Sequence, residues 1–202
     1  MKINFPLLAL AVGAFAIGTT EFSPMGFLPE IANDLSVSIP QAGLLISAYA
    51  VGVMIGAPLM TLWLARFPKK TALILLMAIF TIGNVLATVA PDYMSLMGAR
   101  LITSLNHGAF FGLGSVVAAS VVPKDKQASA VAMMFMGLTI ANIGGVPLAT
   151  WLSQNTSWRM AFAAISILGI MTILALWKAL PQDHDVVKPN VAKELRVLTR
   201  AP

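Results

Sequence analysis

The chain has 202 residues, of which 58% are hydrophobic and only 10% charged, with a mean hydropathy of +0.84. An ordinary soluble domain carries about a quarter of its residues as charges to cover its surface, so that class is excluded. Thirteen Lys and Arg against eight Asp and Glu leave a net charge of +5, but the basic residues sit in short clusters between long uncharged runs, the pattern of a membrane protein and not of a nucleic-acid-binding surface.

No cysteine is present, so disulfides and thiolate metal sites are excluded, and His107 and His184 make no metal-ligand spacing. Neither a metal nor a cofactor is expected.

A membrane-spanning helix needs about 20 largely apolar residues, and six such runs follow in chain order. The first covers residues 6–28. With Lys2 ahead of it and Ala14-Phe15-Ala16 within it, its start resembles a signal peptide, but apolar sequence continues past that point and five more runs follow. Its second half carries Glu21 after Gly18-Thr19-Thr20 and ahead of Pro24, Gly26 and Pro29. That composition predicts a weakened or broken helix around Glu21, the kind of place where transporters put binding groups.

The second run covers 41–65 and contains Gly56-Ala57-Pro58-Leu59-Met60-Thr61 with Trp63-Leu64 close behind. The third covers 71–90. The fourth, 93–117, places Arg100, Ser104, His107, Phe111 and Gly114 at i, i+4, i+7, i+11 and i+14, on one helix face. The fifth, 128–152, repeats the pattern of the second as Gly145-Val146-Pro147-Leu148-Ala149-Thr150-Trp151-Leu152. The sixth covers 160–177. Two copies of Gly-x-Pro-Leu-x-Thr three spans apart run in opposite directions through a bilayer, as in the inverted repeats of secondary transporters. Small residues recur every fourth position at Ala48, Gly52 and Gly56, at Ser104, Gly108 and Gly112, and at Gly137, Ala141, Gly145 and Ala149, which lets helix backbones approach closely.

The charges between runs alternate by side: Lys2; Glu30 and Asp34; Arg66, Lys69 and Lys70; Asp92; Lys124, Asp125 and Lys126; Arg159; Lys178. Seven of these eight basic residues fall on one face, which the positive-inside rule puts in the cytoplasm together with both termini. Residues 1–180 are read as the six-helix bundle and 181–202 as a polar cytoplasmic tail, in which Val191, Leu195 and Leu198 form the apolar stripe of a short interfacial helix.

Glu21, Arg100 and His107 are the ionisable side chains well inside a run. Each charge costs about 2.5 to 3.5 kcal/mol at the bilayer centre on an insertion scale, so they are expected to face the bundle interior or a wet cavity. Glu21 and Arg100 count to the same outer half of the membrane, which allows an ion pair or a shared water. Asn106 and Asn142 add hydrogen-bonding groups for the same cavity. The alternative reading is a fixed buried pair that specifies helix arrangement, with Asn106 and Asn142 as interhelical hydrogen-bond groups.

Gly18-Thr19-Thr20-Glu21-Phe22 and Asn106-His107-Gly108 resemble the sugar/arabinose-efflux-like branch of the drug:proton antiporters, in the major facilitator superfamily. Residues 137–151, with Gly144, Gly145 and Pro147, are similar to the fifth-helix antiporter motif of that family, and Ser157-Trp158-Arg159 with Phe162 to the opening of its sixth helix. Arg100 matches the motif arginine of the fourth helix. The cytoplasmic loop motif is degenerate, with Arg66, Lys69 and Lys70 in place but Ala65 where an aspartate is usual.

The resemblance implies an all-α membrane fold, a 3+3 inverted repeat forming the N-terminal half of a twelve-helix permease. It implies export of a small solute, a sugar or an amphipathic drug, driven by protons. From the placement of the ionisable residues, Glu21 is the leading candidate to carry the proton and Arg100 its electrostatic modulator. The partners expected are the lipid bilayer, the substrate and protons, and a C-terminal six-helix half whose linker starts near Lys193-Glu194-Leu195-Arg196. Two alternatives stay open. One is a complete half-size transporter that works as a dimer with a second copy. The other is an intramembrane enzyme using Glu21, His107 or a serine, against which stands the lack of a discernible Ser–His–acid or metal constellation.

Overall fold

The computed structural model describes residues 4–181, and among these there are helices and connecting turns but no strand. The expected stripe of Val191, Leu195 and Leu198 lies outside the described residues. Six helical segments are long and apolar enough to cross a membrane: Phe5–Gly26, Ile39–Leu64, Lys69–Thr88, Tyr93–Ser120, Lys124–Asn155 and Trp158–Ala179. They coincide with the six expected runs, and their ends are set by local chemistry. The side chain of Asn4 accepts from the Leu7 amide and that of Ser38 from the Gln41 amide, each satisfying a donor that a helix start leaves open. Asp92 and Ser95 cap one another reciprocally at the start of the fourth span.

Three departures from straight helices matter for the site. The first span ends at Phe27, after which a short helix, Leu28–Asp34, lies between the first and second spans. The fourth span is two helices, Tyr93–Ser104 and His107–Ser120, joined at Leu105 and Asn106. The fifth widens into a π turn over Ala141–Gly145, where the Val146 amide reaches back five residues to the Ala141 carbonyl. Pro147, which follows, has no amide to donate and cannot restore the α ladder at that point. The related Pro58 sits inside a continuous α-helix, so the two copies of the repeated pattern differ locally.

The packing follows the repeat. The first span packs on the fifth and the fourth on the second; the first packs on the sixth and the fourth on the third; the third packs on the sixth. Exchanging spans one to three with spans four to six maps this set onto itself, as an inverted 3+3 repeat requires. The small-residue stripes are where the exchanged pairs meet. A Cβ on Gly52 would lie 2.0 Å from Ser104 Oγ and one on Gly56 2.8 Å from Leu105 Cα, while a Cβ on Gly137 would lie 2.0 Å from the Ala11 carbonyl oxygen. The second and fifth spans are the least buried of the six and the first is the most buried. They present Leu44, Met54 and Leu59, and Met136, Ile143 and Leu148, to the outside. Apolar faces of that size are stable only against lipid or another helical body.

The side chain of Asn4 donates to the Val121 carbonyl, and Lys70 Nζ to the Leu180 carbonyl at 2.6 Å, so both described ends of the chain lie at one end of the bundle. At the opposite end Asp34 accepts from Trp158 Nε1 at 3.0 Å and from Arg159, whose other nitrogen donates to the Ala90 carbonyl at 2.8 Å. One carboxylate and one guanidinium thereby tie three connecting segments together. The hydrogen bond from Arg159 holds the Asp34 carboxyl below the usual carboxylate range, and the Ser95 amide does the same for Asp92.

Candidate functional site

Pro24 lies inside the first helix and has no N–H, so the carbonyl of Thr20, four residues back, is left without its helical partner. Arg100 fills that gap: its Nη1 donates to the Thr20 carbonyl at 2.8 Å, and Thr20 Oγ1 lies 3.4 Å away. The guanidinium also sits 4.2 Å over the ring of Tyr49 and 5.9 Å from that of Phe162, which suits a weakly hydrated planar cation in a buried place. Arg100 is 1% exposed, and its Nε and Nη2 have no protein acceptor. Thr20 in turn donates to Asn84 Oδ1 of the third span at 2.7 Å, and Asn84 Nδ2 donates to the Phe80 carbonyl.

The Glu21 carboxylate meets His107 rather than Arg100. Glu21 Oε2 lies 3.7 Å from His107 Nε2, beyond hydrogen-bond reach but in close electrostatic contact, with side-chain exposures of 27% and 14%. The acid is thus reachable from outside the bundle while the imidazole is mostly enclosed. His107 Nδ1 is 3.2 Å from the hydroxyl of Tyr49, and its ring packs on Phe111, which stacks on Phe135 of the fifth span. Glu21, Tyr49, Arg100 and His107 therefore form one cluster built from the first, second and fourth spans, with Phe135 and Phe162 closing it from the fifth and sixth. Arg100 and His107 share a face as their spacing predicts, bridged by Tyr49.

Three expectations need correction. The helix around Glu21 is unbroken, because Pro24 stands two residues before the helix end at Gly26 and Arg100 takes over the orphaned carbonyl; the break comes at Phe27. The direct Glu21–Arg100 ion pair does not form: Arg100 Nη1 donates to the Thr20 carbonyl, and the Glu21 carboxylate faces His107 instead. Asn142 is separate from the cluster: it is exposed, and its Nδ2 donates to the Leu138 carbonyl beside the π turn. Asn106 stays close, at the break just before His107, fully buried and with neither side-chain nitrogen nor oxygen paired to protein.

In the fifth span, Gly145 gives the backbone room against the first: a Cβ there would lie 2.3 Å from Thr19 Oγ1, whereas Gly144 has nothing within 4 Å and Pro147 opens the helix after the π turn. Of the loop residues, Arg66 stacks over Trp63 and Phe67, Lys70 is tied to the end of the sixth span, and Lys69 begins the third helix. Among the described residues no group of three or more His, Asp or Glu is placed to hold a metal ion.

Tyr49, Thr20 and Asn84 are the site residues that the ionisable-residue reading of the sequence passes over. Tyr49 carries a signal, as the one tyrosine well inside an apolar run, and Asn84 another, as an uncharged polar side chain inside the third apolar run.

The family model described as Major Facilitator Superfamily matches residues 10–202. The chain belongs to the major facilitator superfamily. It is 68% identical over 200 residues to the inner membrane transport protein YdhP of Escherichia coli K12, a match covering 99% of this chain and 51% of that protein. It is 33% identical over 192 residues to the chloramphenicol resistance protein of Streptomyces lividans, covering 95% of this chain and 49% of the relative. The chain thus spans about half the length of these curated relatives. Its fold is similar to the crystal structure of a D-xylose-proton symporter, with a TM-score of 0.76 at 16% identity, over 96% of this chain and 52% of the symporter. The six-span bundle is one half of the twelve-helix major facilitator fold, with six helices long and apolar enough to cross a membrane.

Proposed function

We propose that the chain is the N-terminal half of a proton-coupled efflux permease, with both termini in the cytoplasm, and that Glu21 carries the proton. The observation that supports this most is the contact of Glu21 with His107. An acid and a titratable base stand face to face inside an apolar bundle, at a place where the acid keeps a path to the outside. Intramembrane ionisable residues of this kind mark ion or substrate pathways because nothing else offsets their cost in lipid. Arg100 fixes a cation one residue from the acid, and Asn106 offers unpaired polar atoms beside the pair.

A central cavity between this half and a second one holds the substrate, a small solute of the sugar or amphipathic drug class. A relative named for chloramphenicol resistance favours export. Gly145 lets the π-turn segment of the fifth span pack on the first, with Gly144 and Pro147 beside it in the antiporter-type motif, and Arg66, Lys69 and Lys70 anchor the cytoplasmic face. Asn142, exposed beside the π turn, is a contact for the substrate or the second half. No enzymatic step, metal or cofactor enters this reading.

The test is substitution of Glu21 in the permease completed by its C-terminal half, with membrane abundance and proton-driven efflux measured on the same vesicles. Glu21→Gln keeps the shape but cannot titrate, and is expected to abolish efflux with abundance retained; Glu21→Asp keeps part of the activity. Normal efflux by abundant Glu21→Gln protein would refute the assignment, and loss of the protein from the membrane would make Glu21 a structural group instead.

A further inference from the structure

The proton path just described leaves Tyr49 unused. Tyr49 is 2% exposed on the second span, and its hydroxyl is 3.2 Å from His107 Nδ1, while His107 Nε2 faces Glu21 Oε2 at 3.7 Å. The charged and titratable groups around the imidazole are Glu21 from the first span, Tyr49 from the second and Arg100 from the fourth; the rings of Phe111 and Phe135 close the rest. A neutral imidazole has one N–H and one lone pair, and the hydrogen bond at one nitrogen decides which of them carries the proton. A phenol that donates to Nδ1 leaves the proton on Nε2, the nitrogen aimed at Glu21.

We propose that Tyr49 is a positioning residue that holds His107 in the tautomer protonated at Nε2, so that the imidazole presents a donor to the Glu21 carboxylate. The functional consequence rests on Glu21 as the proton carrier, but the tautomer is observable by itself. The surroundings keep the arrangement fixed. The guanidinium of Arg100 covers the tyrosine ring at 4.2 Å. One turn along the second span, Gly52 and then Gly56 bring its backbone against Ser104 and Leu105, just before His107. The spans carrying donor and acceptor are therefore in direct backbone-level contact where the bond forms.

The chain has two histidines and two tyrosines, so imidazole 15N spectroscopy of the bilayer-embedded protein is simple to read, with His184→Gln removing the second signal. The expected spectrum shows Nε2 as the N–H nitrogen and Nδ1 as a lone-pair nitrogen displaced by an accepted hydrogen bond. Tyr49→Phe, which keeps the ring under Arg100, is expected to remove that displacement and move the tautomer ratio by about fivefold. Replacing tyrosine by 3-fluorotyrosine makes the phenol a stronger donor without changing its shape, and is expected to displace Nδ1 further. In the completed permease Tyr49→Phe shifts the pH profile of efflux with abundance unchanged. An Nδ1–H tautomer in the unsubstituted protein, or an Nδ1 signal indifferent to both changes, would overturn the proposal. The fluorotyrosine comparison alone decides should Tyr49→Phe fail to assemble. A normal Glu21→Gln permease would remove the proton-carrier reading and leave the tautomer result standing.

Discussion

Arg100 is held by a vacancy in a neighbouring helix's hydrogen bonding. Pro24 frees the Thr20 carbonyl and Arg100 occupies it, which makes a testable coupling between residues 76 positions apart in the chain. Arg100→Met is expected to destabilise the protein by about 1.5 to 3 kcal/mol, the range for hydrogen bonds to charged groups. In the Pro24→Ala background, where an amide can return to the Thr20 carbonyl, the same substitution should cost less by about 0.5 to 2 kcal/mol; a double-mutant cycle of denaturation in micelles measures the difference.

A second residue-scale case lies at the far end of the bundle, outside the spans. Arg159 holds the Asp34 carboxyl below its ordinary value near 3.9, so its stabilisation is complete above about pH 4 and is lost as pH falls through the lower folded value. Because the pair is partly exposed, its worth is at most about 1 kcal/mol. Asp34→Asn should remove that acid-side slope from a stability-versus-pH curve.

The glycines decide matters for the elements. Gly137 and Gly145 of the fifth span lie against the first so tightly that a methyl group would meet the Ala11 carbonyl or the Thr19 hydroxyl, whereas Gly144 faces open space. Gly137→Ala is therefore expected to cost about 1 to 3 kcal/mol through overpacking. Gly144→Ala should be neutral or slightly stabilising, since alanine is the better helix former by roughly 0.5 to 1 kcal/mol. Thermal unfolding of the two variants side by side checks this, and equal losses would contradict the packing.

Much at this scale is legible in the sequence. Run length gives the six spans, the repeated Gly-x-Pro-Leu-x-Thr gives the inverted repeat, and the four-residue stripes give the close contacts. The break at Leu105 and Asn106 and the π turn at Ala141–Gly145 are not legible, because Leu105 and Asn106 have no breaker signature and Pro58 shows that the same Gly-x-Pro pattern also fits a continuous α-helix. In the site, charge alone singles out Glu21, Arg100 and His107. Their partners depend on which carbonyl is free and which aromatic ring arrives from another span, and no spacing in one chain encodes that.

At the scale of the whole molecule, the described residues form a bundle with charge sorted between its ends. Arg66, Lys69, Lys70, Lys124, Lys126 and Lys178 lie at the end where both described termini meet, and Glu30, Asp34 and Asp92 with Arg159 at the other. Reporters placed in the loop of Arg66 and after the sixth span should both read cytoplasmic and one near Asp34 external; the opposite pattern would reverse the orientation. Six helices leave the second and fifth spans uncovered, so the chain expressed alone should move no substrate against a proton gradient. Transport by a proven dimer of this chain would replace the second half with a second copy.

The most direct measurement follows proton and substrate together, in sealed vesicles that hold the completed permease and an internal pH indicator. With substrate supplied on one side, protons should move in the opposite direction in proportion to substrate carried, and Glu21→Gln should remove the proton movement while its membrane abundance stays normal. Substrate transport without any proton movement, or unchanged proton movement in Glu21→Gln, would contradict the account.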